Sequence, residues 1–251
     1  MKRDARFTTK DMAIIGVLGA ISVMLGLTPL GFIPIGPTRA TIMHIPVIIG
    51  SITQGPIVGA MVGLIFGLFS WFQNATNPTI ISFAFLNPLV SVLPRVLIGI
   101  TSYYTYKGFK KIGFKTSKNL IYALWTSIII YLVYSIYKSL QSGDYSLVMI
   151  IINIVLIILI LGIMYITKTN LKDKSLDIII ASIVGSLTNT LGVLFMIYIL
   201  YGERFVLALG LDKTNTRRAI IGVGITNGIP EATIAVIIVT SVVKILTKGK
   251  K

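Results

Sequence analysis

Cysteine is absent from the 251 residues, histidine occurs once, and acidic residues number only 8. No disulfide framework or thiolate metal site is therefore available, and no metal or other cofactor is expected. Charge is scarce as well: 12% of residues carry one, against about a quarter in a soluble domain, which must coat its surface. A water-soluble globule is excluded, and the apolar content excludes a disordered chain. What the chain does have is 55% hydrophobic residues and a mean hydropathy of +0.89. Segments of that kind cross a hydrocarbon core of roughly 30 Å in about 20 residues each. The composition predicts an all-α, polytopic bundle of membrane helices in the cell membrane.

The net charge of +15 would suit a nucleic-acid binder, but its distribution points elsewhere, to the lipid bilayer. Apolar runs fall at about 12–28, 42–54, 57–73, 87–106, 120–137, 146–167, 176–201 and 219–244. The first lacks a small-residue cleavage site, so it reads as a span and not as a cleaved signal. Gln54-Gly55-Pro56 is a turn signal that splits 42–73 in two. With eight spans, the N-terminal Lys2, Arg3, Arg6 and Lys10, the 107–118 loop with its five lysines, Lys168, Lys172 and Lys174, and the C-terminal lysines share one side. Only Arg39, Lys138, Arg204, Lys213, Arg217 and Arg218 fall on the other. The positive-inside rule then places both termini in the cytoplasm.

Helices in lipid approach closely through small residues four apart. Gly55, Gly59, Gly63 and Gly67 form such a stripe, and Ala13, Gly16 and Ala20 line the first span. The first stripe suits packing inside the bundle; either could instead dock another membrane protein. Ionisable groups within spans are costly and mark candidate sites. Arg95 lies eight residues past Asn87, roughly 12 Å deep at 1.5 Å per residue. Glu231, Asn227 and Asn189 fall at a similar level in the last two spans, with Thr188 and Thr190 flanking Asn189. An arginine fork suits a carboxylate, and asparagine amides suit hydroxyl or amide groups. The same residues read structurally would be an Arg95–Glu231 ion pair with asparagine glue. His44 opens the second span as an interfacial histidine or a ligand. Phe32 in the loop 28–38, Trp71, Phe83 and Phe85 around 71–86, and Tyr201 and Phe205 form an aromatic belt or a lid.

No Gly-rich loop with Lys-Ser or Lys-Thr, no HExxH and no serine–histidine arrangement occurs, so neither ATP hydrolysis nor proteolysis is expected of the chain. It reads as a binder, not an enzyme. His44-Ile45-Pro46-Val47-Ile48-Ile49-Gly50, the glycine stripe, Phe85-Leu86-Asn87-Pro88, Leu93-Pro94-Arg95, Ser186-Leu187-Thr188-Asn189-Thr190 and Asn227-Gly228-Ile229-Pro230-Glu231 resemble the substrate-binding S components of energy-coupling factor transporters, the pantothenate type above all.

That resemblance implies capture of a small vitamin or precursor from outside, held by the first outer loop and the helices at 87–106, 176–201 and 219–244. The expected ligands are Arg95, Asn189, Asn227, Glu231, Thr188 and His44. It also implies a transmembrane coupling subunit, docked on Ala13, Gly16 and Ala20, and two ATPase subunits, with no nucleic acid involved. The family core covers 10–106 and 176–247 of a single transmembrane domain, and 116–170 is an added helical pair. An S component for another vitamin, or a helical scaffold, remain the alternatives.

Overall fold

The computed structural model describes residues 8–35, 38–141, 176–210 and 216–248, with scattered positions between 150 and 164. Thr8 starts helix α1 (Thr9–Leu27): its hydroxyl accepts the Asp11 N–H (3.1 Å) and the Asp11 carboxylate accepts the Thr8 N–H, a reciprocal cap. After the turn Pro29–Gly31 the chain forms an antiparallel hairpin, β1 (Phe32–Ile35) and β2 (Thr38–Thr41), with Phe32 opposite Thr41. The stretch expected as a plain Pro/Gly loop thus contains a strand pair.

Helices α2 (Ile45–Gln54) and α3 (Pro56–Thr76) meet at Gly55, whose φ of 118° suits only glycine, and Pro56 begins α3 where no N–H is needed. The split at this turn is as expected, but α2 is not a full span. Ten residues give roughly 15 Å, half the hydrocarbon thickness. Residues Ile45 to Ile52 are all buried, so α2 is a core helix sheathed by the others.

The fourth run also departs from expectation. Pro88 and Pro94 lack the N–H that a helix interior requires. The chain therefore makes two short turns, α4 (Ser82–Phe85) and α5 (Pro88–Ser91), before α6 (Leu93–Ile112) begins. Arg95 lies in the first turn of α6, not two turns inside a helix starting at Asn87.

Gly113, at φ 86°, separates α6 from α7 (Phe114–Gln141). The chain closes with α8 (Leu176–Ala208) and α9 (Thr216–Lys248), each 33 residues and so roughly 50 Å long. Among the described residues α1, α3, α8 and α9 are long and apolar enough to cross a membrane. The protein is a multi-pass helical membrane protein.

Two compact units are present, Met1–Gly108 with Ile178–Lys251, and Phe109–Asp177. In the first, Val47, Ile48, Val62, Ile98, Ala181 and Val239 belong to a core built around α2, and a second cluster joins Ala84, Val90, Ile197, Phe205 and Val206. In the second unit the Tyr122 hydroxyl donates to the Met164 carbonyl (3.2 Å), while Ile130, Tyr131, Tyr134 and Tyr137 are exposed, as a lipid-facing helix requires. Most of the expected run 146–167, and Lys168, Lys172 and Lys174, lie outside the described residues.

The glycine stripe packs within the bundle. A Cβ on Gly59 would fall 2.9 Å from the Gly99 Cα, one on Gly63 would enter the Arg95 carbonyl, and one on Gly67 would fall 2.7 Å from the Val92 Cα. Three steps of the stripe thus bring α3 against the start of α6, and the Ser51 hydroxyl adds a bond to the Gly99 carbonyl (2.5 Å). Gly55, the turn residue, takes no part. On α1, Ala13, Gly16 and Ala20 are exposed, and a Cβ on Gly16 would meet nothing.

Candidate binding site

Five hydrophilic side chains from three helices meet at one buried cavity of about 110 Å³: Arg95 of α6, Asn189 and Thr190 of α8, and Asn227 and Glu231 of α9. The hairpin contributes Thr41, and an apolar wall is made by Ile81, Phe85, Val193, Leu194, Ile197, Phe205 and Val223. Helical spacing explains the convergence. Val223, Asn227 and Glu231 follow at i, i+4 and i+8, and Asn189, Val193 and Ile197 do the same on α8, so each set shares one face.

Arg95 is 5% exposed, and among the described residues no carboxylate is in hydrogen-bonded contact with it. Its Nη1 donates to the Val90 carbonyl (2.5 Å), a group left free by the break before α6, and its guanidinium lies 5.3 Å and 5.6 Å from the ring centres of Phe66 and Phe85. Among the described residues the Nε–H has no partner. Glu231 is turned elsewhere: Oε1 accepts the Thr41 N–H (2.7 Å) and Oε2 accepts the Thr190 hydroxyl. The Arg95–Glu231 ion pair that a purely structural reading requires is replaced by these contacts.

Asn189, 3% exposed, has no partner for its Oδ1 among the described residues. Buried polar atoms are almost always hydrogen-bonded, so an unpartnered acceptor and an unpartnered guanidinium N–H at one cavity call for a guest with a donor and an anionic acceptor. A larger depression of about 640 Å³ at the ends of α8 and α9 is lined by Tyr198, Tyr201, Arg204 and Arg217 among others, but it is open and none of the unpartnered buried atoms lies in its lining.

The family model for the substrate-specific component of ECF transporters matches residues 10–142 and, in a second match, 119–243. The chain belongs to this family. Its members are transporter subunits, not enzymes. Over 113 residues this S component is 34% identical to the pantothenic acid transporter PanT of Lactococcus lactis subsp. cremoris, covering 39% of this chain and 58% of that protein. It is also 34% identical over 113 residues to the pantothenate transporter PanT of Leuconostoc mesenteroides subsp. mesenteroides, covering 43% of this chain and 54% of that one. The chain spans about half the length of the curated relatives it matches.

Arg95, Asn189, Asn227 and Glu231 of this S component are brought together as their common level in the sequence suggested. Thr188 and His44 are not in the cavity lining. The Thr188 hydroxyl bonds instead to Thr101 (2.9 Å) and donates to the Val184 carbonyl (2.7 Å), tying α8 to α6. His44 is fully buried at the start of α2, and among the described residues no side chain bonds its ring nitrogens. Replacing Thr188 by valine should cost about 0.6 kcal/mol of stability, the usual worth of an interhelical bond in lipid, and leave ligand affinity unchanged. Thermal unfolding and titration calorimetry on the purified variant check both halves.

Thr190 and Thr41 join the site without having been expected as ligands. Thr190 was legible in principle, because it continues through Leu194 at i+4 beside the Asn189–Val193 face. Thr41 was not, since its contribution is a backbone N–H. Among the aromatic groups, Phe85 and Phe205 line the cavity. Phe83 instead packs edge-on to Tyr201 (5.8 Å) under the Arg204 guanidinium (4.1 Å), and the Asn87 amide donates to the Tyr201 hydroxyl (3.2 Å).

Proposed function

We propose that this S component captures pantothenate from outside the cell and passes it to a transmembrane coupling subunit driven by two ATPase subunits. The observation that carries the reading is the pair of unsatisfied groups, Arg95 Nε–H and Asn189 Oδ1, on one polar wall facing an apolar one. Pantothenate offers a carboxylate for Arg95, amide and hydroxyl groups for Asn189 and Asn227, and a dimethyl carbon for the wall of Val193, Leu194 and Ile197. The names of the two relatives support the same ligand. In this orientation the hairpin end faces outward, both termini are cytoplasmic, and the open stripe of Ala13, Gly16 and Ala20 is the docking surface. The segment 116–170 is an added helical pair whose even number of spans preserves that topology.

Titration calorimetry of the purified full chain with pantothenate, pantoate and β-alanine tests the assignment. Pantothenate should bind, and each half-molecule at least a hundredfold more weakly, because each leaves one wall of the cavity unmatched. Absence of pantothenate binding at millimolar concentration, with a different vitamin bound instead, would replace the ligand. Absence of any vitamin would favour the scaffold alternative.

A further inference from the structure

We propose that Glu231 is a positioning residue that latches the free edge of the β1–β2 hairpin onto α9 and so sets how readily the cavity opens; the link to ligand release rests on the reading of that cavity as the nutrient site. The hairpin register is the starting point. The Ile42 N–H donates to the Gly31 carbonyl (3.1 Å), and Phe32 stands opposite Thr41. In an antiparallel ladder, bonded and non-bonded pairs alternate. Thr41 therefore turns its N–H away from β1, an unpaired edge donor of the kind that sheets must cover. Glu231 covers it at 2.7 Å, and the Thr190 hydroxyl holds the other carboxylate oxygen. The carboxylate is 3% exposed and has both oxygens engaged, so it has a structural task before any guest arrives.

Size gives that task a consequence. A cavity of about 110 Å³ is well below the roughly 300–1,000 Å³ usual for a small-molecule site, so a wall must move to admit a vitamin. Most of the lining comes from α6, α8, α9 and the short turn at Phe85. Thr41 is the one lining residue supplied by a strand. A hairpin of two strands is at best marginally stable without packing on other elements, so the hold of α9 on β2 decides how firmly it stays in place. It is the natural moving wall, and Glu231 is a bond that must break.

Amide hydrogen exchange of the purified, ligand-free full chain reads the latch directly. Glu231→Ala should raise exchange across 38–43 at least tenfold, Thr190→Val should raise it less, and Glu231→Gln, which keeps an acceptor for the Thr41 N–H, should stay near wild type. In parallel, pantothenate release should speed up about tenfold in Glu231→Ala. Unchanged exchange in that variant overturns the latch, and lost affinity with unchanged exchange makes Glu231 a direct ligand contact instead. If Glu231→Ala does not yield folded protein, the order of the other two variants decides: equal exchange in Thr190→Val and wild type refutes the proposal. Because the exchange is measured without ligand, failure of the pantothenate assignment leaves it standing.

Discussion

Arg95→Ala should raise the dissociation constant for pantothenate by about a hundredfold or more while the purified protein remains folded. Truncating one partner of a buried, hydrogen-bonded charge pair costs about 2–5 kcal/mol, and each 1.4 kcal/mol is tenfold in affinity. Among the described residues Arg95 is the one cationic side chain lining the cavity, and the substitution removes the charge that would receive a carboxylate there. Folding should survive because, among the described residues, Arg95 makes no hydrogen-bonded ion pair, and both oxygens of Glu231 keep their donors without it. Its contacts are the Val90 carbonyl and the rings of Phe66 and Phe85. Arg95→Lys should restore only part of the affinity, since a lysine is a point charge without the guanidinium fork. Calorimetry alongside thermal unfolding separates the two effects, and near-wild-type affinity in Arg95→Ala would remove Arg95 from the site.

The second large effect is expected at Gly63. A Cβ there enters the Arg95 carbonyl and stands 3.2 Å from the Val96 Cα, both backbone, which has no rotamer by which to move aside. Overpacking of this kind costs about 1–3 kcal/mol for a single added group and more for a large one. Gly63→Ala should lower the unfolding temperature by several degrees and weaken pantothenate binding, because the displaced turn carries Arg95. Gly63→Leu should leave little monodisperse protein in detergent. Gly16→Leu is the control: its Cβ meets nothing, so stability and binding should hold. On the proposed docking role, uptake by cells would stop in that variant even though its stability and binding hold. Size-exclusion profiles, melting curves and uptake measured on the same panel check the contrast.

The Gly59–Gly63–Gly67 stripe is a four-residue repeat, and a repeat announces close packing whatever the partner. That its partner is α6, through Gly99, Arg95 and Val92, required the fold. The grouping of Arg95, Asn189, Asn227 and Glu231 was legible for a similar reason. Polar residues are expensive in lipid, so they stand out from an apolar background and are driven to one another. Thr188 was misleading because its neighbour Asn189 lies about 100° away around the helix, and the sequence alone does not say which of two adjacent residues faces inward. Arg95 was read as eight residues into a continuous helix because a run of apolar letters hides where prolines interrupt it.

The hairpin was the least legible element. Four-residue strands in a segment rich in proline and glycine leave no alternation strong enough to read, and their one contribution to the site described here, through Thr41, includes a main-chain N–H that carries no residue signature.

By itself the sequence determined the solvent this protein folds in, its helical architecture and the short list of side chains that lipid would not tolerate unaccompanied, because transfer energies act on composition and run length before any contact forms. The tertiary structure decided which charge faces which neighbour. Coulombic and hydrogen-bond energies depend on ångströms and angles, and only the packed helices fix those: Arg95 is turned to the Val90 carbonyl and two aromatic rings, and Glu231 to the backbone of a strand 190 residues away.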